Sequence, residues 1–255
     1  ITIPDSVTSI GSGAFQNCTV SITLNNASLN LNSAGYDLYN RVTNITIPEG
    51  TTEIANYAFY GCSNVTSITI PDSVTSIGDY AFQSCTSLTS IIIPDSVTSI
   101  GSGAFTSCTS LTSIIIPDSV TSIGSYAFQS CSNLSSIIIP DNVTSIGNYA
   151  FYNCSGLSSI TIPDSVTSIG SYAFRDCTSL SSITIPDSVT SIGSGAFYNC
   201  NALSITLNNA SLNLNSAGSG LYNSVTNITI PEGTTEITNY AFYGCSNVTS
   251  ITIPD

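Results

Sequence analysis

Cysteine is the residue type whose spacing in this sequence most strongly suggests chemistry. The chain carries nine cysteines, most of them 23 residues apart; the central members are Cys85, Cys108, Cys131, Cys154 and Cys177. Regularly spaced thiols can form disulfides or bind zinc. In a stacked repeat, however, equivalent side chains do not face one another, an odd number cannot all pair, and zinc needs a tetrahedron of ligands rather than a row. We interpret this column as buried free thiols that act as small hydrophobic residues, with disulfide pairing as the alternative.

Carboxylates form a second regular series. An acidic residue follows the proline of each repeat, and the central members are Asp72, Asp95, Asp118, Asp141, Asp164 and Asp187. Aspartate at this position is typical of turns, where its side chain accepts hydrogen bonds from backbone N–H groups. A row of carboxylates about one strand spacing apart could also supply oxygen ligands to Ca²⁺. Turn formation is the interpretation that we favour, and a calcium site is the alternative.

The overall composition excludes several classes of function. The sequence has no histidine, methionine or tryptophan, and its two Lys+Arg residues stand against 15 Asp+Glu, which gives a net charge of −13. Such a chain cannot build the basic surface that nucleic acids or anionic membranes require. No apolar run is long enough to cross a membrane. We therefore expect no nucleic-acid partner and no membrane insertion.

A catalytic constellation is equally hard to find. Without histidine or lysine, a serine or cysteine nucleophile lacks its usual base. The closest carboxylate pair, Glu49 and Glu53, returns as Glu232 and Glu236, so it belongs to the repeat and not to a unique cleft. We expect no enzyme activity, no catalytic residues and no bound cofactor, with Ca²⁺ as the one ion that the acidic row could hold.

All these residues are positioned by a repeat of 23 residues, seen clearly in residues 91–113 and again from Ile114. The pattern Leu-x-x-Ile-x-Ile-Pro of residues 88–94 has the period of two that predicts a short strand with Leu and Ile inward. Val97 and Ile100 predict a second short extended piece. An Ala-Phe pair then returns to the core, where the phenylalanines should stack as a structural column; its central members are Phe82, Phe105, Phe128, Phe151 and Phe174.

The sequence therefore predicts a β-rich solenoid. Its stacked coils of 21–23 residues should share one parallel β-sheet face, with little or no α-helix, because the segments are too short and too rich in Ser, Thr, Ile and Val for helices.

The outward-facing position between the two inward isoleucines of the strand is occupied by threonine in nine repeats, but by Ile92, Ile115 and Ile138 in three adjacent ones. These isoleucines are partner-binding candidates, since three in a row make an apolar patch on a hydroxyl-rich sheet. Packing between neighbouring β-branched side chains is the alternative explanation.

The repeat resembles the leucine-rich repeat of BspA-like surface proteins. The pattern that carries the resemblance is Leu-x-x-Ile-x-Ile-Pro-x-x-Val-x-x-Ile-Gly-x-x-Ala-Phe-x-x-Cys, as in residues 88–108, and it covers nearly the whole chain. The resemblance implies a curved leucine-rich-repeat solenoid of an extracellular or cell-surface protein, known from oral and gut bacteria, treponemes and trichomonads, that acts in adhesion and partner binding.

We predict one continuous solenoid over residues 1–255. Residues 1–73 and 183–255 are copies of one larger unit, and each copy contains an irregular coil, at about 20–46 and 203–229, that keeps the step but lacks the proline and the Ala-Phe pair. Because both ends of the sequence lie in the same phase of the repeat, we expect a segment of a longer array.

We expect a non-enzymatic extracellular protein with a structural or adhesive role that forms a fibre, stalk or surface filament. Its partners would be other copies of itself, through end-to-end or lateral assembly, or an extracellular protein. The alternative is a cell-surface binding module that recognises a host or neighbour-cell protein through its concave strand face.

Overall fold

A computed structural model describes residues 1–4, 6–7, 22–24, 41–208, 224–230, 232, 234, 242 and 245–253 of the chain. These residues form a stacked series of short strands and turns that contains no helix within the described ranges. The predicted class, a leucine-rich-repeat-like solenoid of parallel strands, is confirmed. Most of both irregular coils, including residues 25–40 and 209–223, lies outside the described residues, as do Cys18 and parts of the two predicted copies 1–73 and 183–255.

The main ladder of parallel strands is built from the Leu-x-x-Ile-x-Ile segments. Numbered in chain order, its strands are β1 (Thr2–Ile3), β2 (Ile22–Leu24), β3 (Val42–Ile45), β5 (Ser67–Thr69), β7 (Ser90–Ile92), β9 (Ser113–Ile115), β10 (Ser136–Ile138), β12 (Ser159–Thr161), β14 (Ser182–Ile185), β16 (Leu203–Leu207), β17 (Val225–Thr229) and β18 (Ser250–Thr252). They form sheets in the orders β1-β2-β3, β12-β10-β9-β7-β5 and β14-β16-β17-β18.

A second ladder runs along another side of each coil. Its strands are β4 (Glu53–Ile54), β6 (Ser76–Ile77), β8 (Ser99–Ile100), β11 (Ser145–Ile146), β13 (Ser168–Ile169) and β15 (Ser191–Ile192). The extended piece that the sequence predicted at Val97–Ile100 thus pairs in parallel with its equivalents, in the orders β4-β6-β8 and β11-β13-β15, and a bridge between Ile123 and Ile146 lies beside the second group. The solenoid therefore has more than the single sheet face that the sequence predicted.

The pairing register matches each residue with its own equivalent one repeat away. Ser136, for example, pairs with Ser113 on one side and with Ser159 on the other. The strands of the irregular coils stay in the main ladder, because β2 and β16 are paired on both sides, with register shifts at Ile22/Thr23 and Leu203/Ser204. As a result, each side-chain type is stacked into a column that runs along the solenoid axis.

The turn that carries the Ala-Phe pair also hydrogen bonds from coil to coil. The N–H groups of Tyr126, Phe128 and Ser130 donate to carbonyls of the next coil at 2.9, 2.8 and 2.7 Å. The intervening N–H groups, including that of Cys131, donate within the turn. Tyr126 and Ser130 make this alternation possible because their φ angles of 60° and 57° lie in the left-handed region, which is unusual for non-glycine residues.

The core lies between the ladders and this turn. The phenylalanine rings of the predicted column are fully buried, and Phe128 stacks on Phe105 and Phe151 with ring centroids 5.5 Å apart on both sides. The inward isoleucines, valines, leucines and alanines of each coil surround these rings. Offset stacking of this kind contributes about 0.5–1.5 kcal/mol per pair beyond the burial of the rings.

A column of glycines marks the closest approach of neighbouring coils. A Cβ atom on Gly147 would lie 2.6 Å from the backbone nitrogen of Ser125, too close for any side-chain movement to relieve. At Gly124, in the adjacent coil, the nearest atom would be a backbone oxygen 3.2 Å away. Glycine is thus required at position 147 by backbone packing and not by a special φ angle.

We expect Gly147→Ala to lower the free energy of unfolding by about 1–3 kcal/mol, because the added methyl group must push two coils apart. The matched substitution Gly124→Ala should cost clearly less, since a shift of a few tenths of an ångström makes room for its methyl group. Urea unfolding followed by circular dichroism measures both. Equal losses at the two positions would contradict this account of the glycine column.

Candidate interaction surfaces

The cysteine column is buried and hydrogen bonded within the described residues. Cys62, Cys85, Cys108, Cys131, Cys154, Cys177 and Cys200 are free thiols in the core. The Sγ of Cys131 donates to the carbonyl oxygen of Phe105 at 3.1 Å, and the same bond to the preceding coil recurs at 3.0–3.3 Å from Cys85 to Cys200. The sequence did not predict this bond, although the constant spacing of Cys three residues after Phe was the available signal.

Burial also suppresses the reactivity of these thiols. It raises the pKa of Cys85, Cys131 and Cys200 to about 12, above the ordinary value of 9.0, because a buried thiolate would lose its hydration. The thiolate is the form that attacks electrophiles and binds metals. At neutral pH these buried thiols are therefore protonated and do not act as nucleophiles.

We expect iodoacetamide at pH 8 to leave the seven buried thiols of the native protein unmodified, because they are protonated and inaccessible. In guanidinium chloride the same seven should react completely, and Cys245, which is only half-buried, should react first in the native state. Peptide mass spectrometry after each treatment identifies the labelled positions. A bridged pair among these residues would contradict the assignment of free thiols.

The raised pKa values also predict the pH dependence of stability. Below the ordinary pKa of 9.0 both the folded and the unfolded chain keep the thiol protons, so the thiols do not lower the free energy of unfolding. As the pH rises toward 12 the unfolded chain loses these protons while the folded chain keeps them, so the free energy of unfolding falls. We expect alkaline unfolding between these values, followed by circular dichroism and reversed on return to pH 8. An unchanged spectrum at pH 12 would exclude this linkage.

The row of aspartates lies at the surface, beside the carboxyl ends of the main strands. Asp72, Asp95, Asp118, Asp141, Asp164 and Asp187 are all exposed. The turn around Asp95 is closed by the backbone, with Val97 N–H donating to Pro94 O at 3.0 Å, and by Ser96 Oγ, which donates to Val74 O at 2.6 Å. The aspartates thus stand in turns at the surface, and the backbone and a serine hydroxyl close the turn around Asp95.

Calcium coordination would need several oxygen atoms around one point. In the described part of the chain, no group of three or more Asp, Glu, His or Cys side chains is close enough to hold a metal ion. The row instead supplies one exposed carboxylate per coil. Glu49 and Glu53, the carboxylate pair considered for catalysis, are likewise both exposed.

Asp79, which differs from the residues at this position in most other coils, has a structural role. Its Oδ1 accepts the backbone N–H of Ser102 in the next coil at 2.7 Å, and its own N–H donates to Asn56 Oδ1 at 2.7 Å. Asn148 accepts the N–H of Ser171 in the same way. Asp and Asn at this position therefore join neighbouring coils.

The outward face of the main ladder carries the three isoleucines. Ile92, Ile115 and Ile138 lie directly opposite one another on β7, β9 and β10, and they are 77%, 73% and 72% exposed. The threonines that flank them in the same column, Thr69 and Thr161, are exposed as well. The three isoleucines form a continuous apolar surface, which we name the isoleucine strip.

A shallow cavity of about 550 Å³ continues the same face beyond the strip. Half of its lining residues are serines and threonines of β12, β14 and β16, including Ser159, Thr161, Thr184 and Thr206, and Asp164 also lines it. The face thus changes from apolar to polar along the solenoid axis.

Tyrosines and one arginine occupy a different surface, over the turn that carries the Ala-Phe pair. Tyr126, Tyr149 and Tyr172 stack with ring centroids 4.9 and 5.0 Å apart. Arg175 lies 4.9–5.6 Å from the ring centroids of three tyrosines, Tyr152, Tyr172 and Tyr198, and pairs with Asp176 at 3.2 Å. This arginine is held by its own neighbours through cation–π contacts and a partly exposed ion pair.

The sequence marked this surface only in part. Gly103 and Gly195 replace tyrosine in the column, and both have positive φ angles, 61° and 65°. Tyr80 fills the space above Gly103, since a Cβ there would lie 2.3 Å from its ring. The exchange of Tyr for Gly at one position was the signal that this position needs a left-handed backbone.

These features, stacked parallel strands with a repeated Leu/Ile core and outward-facing variable positions, define a leucine-rich repeat solenoid. The sequence matches the family described as the BspA type leucine rich repeat region, in six copies, over residues 1–108, 32–158 and 144–255. The chain therefore belongs to the BspA-type leucine-rich repeat family. Proteins built from such repeats are generally non-enzymatic scaffolds.

Solved structures support this assignment. A leucine-rich repeat protein from Bacteroides ovatus is 30% identical over 98% of this chain and 68% of its own, with a TM-score of 0.72. A leucine-rich repeat protein of T. pallidum is 34% identical over 62% of this chain and 75% of its own, with a TM-score of 0.56. No curated protein matches the sequence. Within the described residues, no helix has the length and apolar character needed to cross a membrane.

Proposed function

We propose that this protein is a non-enzymatic, extracellular repeat protein with a structural and adhesive role, in which the solenoid serves as a fibre, stalk or surface filament. The observation that carries the proposal is the hydrogen bonding between coils along the axis. The turn that carries the Ala-Phe pair joins each coil to the next from residue 57 to residue 198. Two parallel ladders, each divided once between residues 53 and 208, join most neighbouring coils as well.

This construction suits a protein that must keep its shape under load. Backbone hydrogen bonds parallel to the axis share a tensile force among several ladders, and the buried ring column adds stacking at every step. Hydroxyl groups add further links, as when Thr98 Oγ1 donates to Thr75 O and Thr167 Oγ1 to Thr144 O. The small number of cations, two Lys+Arg in 255 residues, also leaves few sites for trypsin-like proteases.

The extracellular location is supported by family membership, since the BspA-like repeat is known from surface proteins. The test is immunogold electron microscopy of intact source cells, with an antibody raised against the purified chain. Label on the outside of unpermeabilised cells is expected. Label that requires permeabilisation would overturn the proposed location.

The structural role is tested by electron microscopy of the purified chain over a range of concentrations. We expect filaments with an axial repeat of about 4.8 Å, the spacing of parallel strands, because the ladders run along the solenoid. Gly147→Ala, which spreads two coils, serves as a control that should give fewer or irregular filaments. Particles that remain single at every concentration would overturn the fibre role, and only the adhesive role would remain.

A second candidate function is favoured by the isoleucine strip. Exposed apolar surface that interrupts a polar face is typical of protein-binding sites. In this role the protein would be a binding module that recognises a protein of a host or neighbouring cell through the strand face.

A further inference from the structure

We propose that the isoleucine strip, together with the carboxylates of Asp95, Asp118 and Asp141 beside it, is the docking site for a basic amphipathic helix of a partner protein. The proposal rests on the second candidate function above and specifies the chemistry of the partner. The helix would place an apolar stripe on the isoleucines and lysine or arginine side chains on the aspartates.

The three isoleucines of the strip occupy a position that holds threonine in the other coils. Neighbouring coils have Thr69 and Thr161 where the strip has isoleucine, and the strands pair identically in both cases. Threonine therefore satisfies the fold at this position. The three isoleucines instead expose about three quarters of their side chains to water, a cost that binding of an apolar partner would remove.

Charge is distributed on one side of the strip only. Each aspartate follows its isoleucine by three residues, so the rows Ile92-Ile115-Ile138 and Asp95-Asp118-Asp141 run parallel along the axis. At the other side, exposed hydroxyl residues stand at and just before the start of each strand; Ser135, one residue before β10, donates to Thr112 O at 3.3 Å. A complementary partner thus needs cations along one flank of its apolar surface, and none along the other.

The strands beneath the strip have no free edge. β7 pairs with β5 and β9, β9 with β7 and β10, and β10 with β9 and β12. A partner cannot add to this sheet as a further strand and must contact it through side chains. A helix satisfies its own backbone and presents such a surface, as in the helix-in-groove mode of recognition.

The dimensions of a helix agree with those of the strip. Two strand spacings separate Ile92 from Ile138, roughly 9.6 Å. Residues i and i+7 on one face of a helix are about 10.5 Å apart, with i+3 and i+4 between them. A helix lying along the solenoid axis could therefore contact all three isoleucines with one stripe.

A second copy of this chain is a poor occupant of the site. The chain offers two arginines in total, and Arg175 is already engaged by Asp176 and three tyrosine rings. The missing cations must come from a different protein.

The test uses the full 255-residue chain and a fluorescein-labelled 18-residue peptide of leucine and lysine, with leucines at helical i, i+3, i+4 and i+7 spacing and lysines on the flanks. Two control peptides replace every lysine by glutamate or scramble the order of the residues. Fluorescence anisotropy at 150 mM salt measures binding. The helical lysine peptide should bind at least tenfold more tightly than either control.

Variants of the chain then locate the site. The triple variant Ile92→Thr, Ile115→Thr and Ile138→Thr installs the residue that the column uses elsewhere, and it should weaken binding at least tenfold. Asp95→Asn, Asp118→Asn and Asp141→Asn together should do the same and reduce the salt dependence. The charge-matched control, Glu49→Gln, Glu53→Gln and Glu232→Gln, should change the affinity less than threefold.

A gain-of-function variant guards against misfolding. Thr161→Ile extends the strip by one coil and should tighten binding about threefold or more, which a damaged fold could not do. Equal losses in the aspartate triple variant and its charge-matched control, or no loss in the isoleucine triple variant, would overturn the proposal, since either result means general attraction to an acidic chain.

Two further measurements separate the possible failures. Sedimentation velocity without peptide tests for a dimer that disappears in the isoleucine triple variant, and such a dimer would assign the strip to a second copy and overturn the proposal. Surface label in the immunogold experiment combined with strip-independent peptide binding would leave the extracellular role intact and reject the helix site alone.

Discussion

The structure depends on one constraint: each coil must hydrogen bond, in register, to an equivalent coil on either side. Neighbouring backbones are then about one strand spacing apart along the entire circuit of a coil, including the turn. This spacing forces glycine at Gly147, where another coil's backbone leaves no room for a Cβ. In-register stacking also places equivalent residues in a column, so that a favourable or unfavourable contact between two coils recurs at each step along the axis.

The same constraint decides which reactive side-chain groups are buried or used in hydrogen bonds between coils. Cysteine occupies a position that the stacking of coils buries completely, so its thiol is used to donate to a phenylalanine carbonyl and not to react. Serine and threonine hydroxyls at the surface donate to carbonyls of the preceding coil, as Ser165 does to Val143 O. The high content of these residues is thus explained by inter-coil bonding, which leaves few polar groups with a separate task.

Function must then lie where a column changes. Two such places stand out among the described residues: the isoleucine strip on the strand face and the arginine held among tyrosines near Arg175. They differ in character, because Arg175 is satisfied by neighbours in its own chain, whereas the isoleucines remain exposed to water. The strand face is therefore the surface that can gain most from a partner, and the tyrosine surface is better explained as support for the turn.

The sequence alone determined the repeat length, the parallel main ladder, the inward columns and the exposed row of aspartates, because a strict period of 23 residues leaves one way to stack the coils in register. It could not determine the left-handed backbone at Ser130, since local preferences oppose it and only the hydrogen bond to the next coil requires it. The pairing of the second ladder, the thiol-to-carbonyl bonds and the backbone contact at Gly147 likewise depend on distances between atoms of different coils. Those distances exist only once the coils are stacked, which is why the tertiary structure alone decided them.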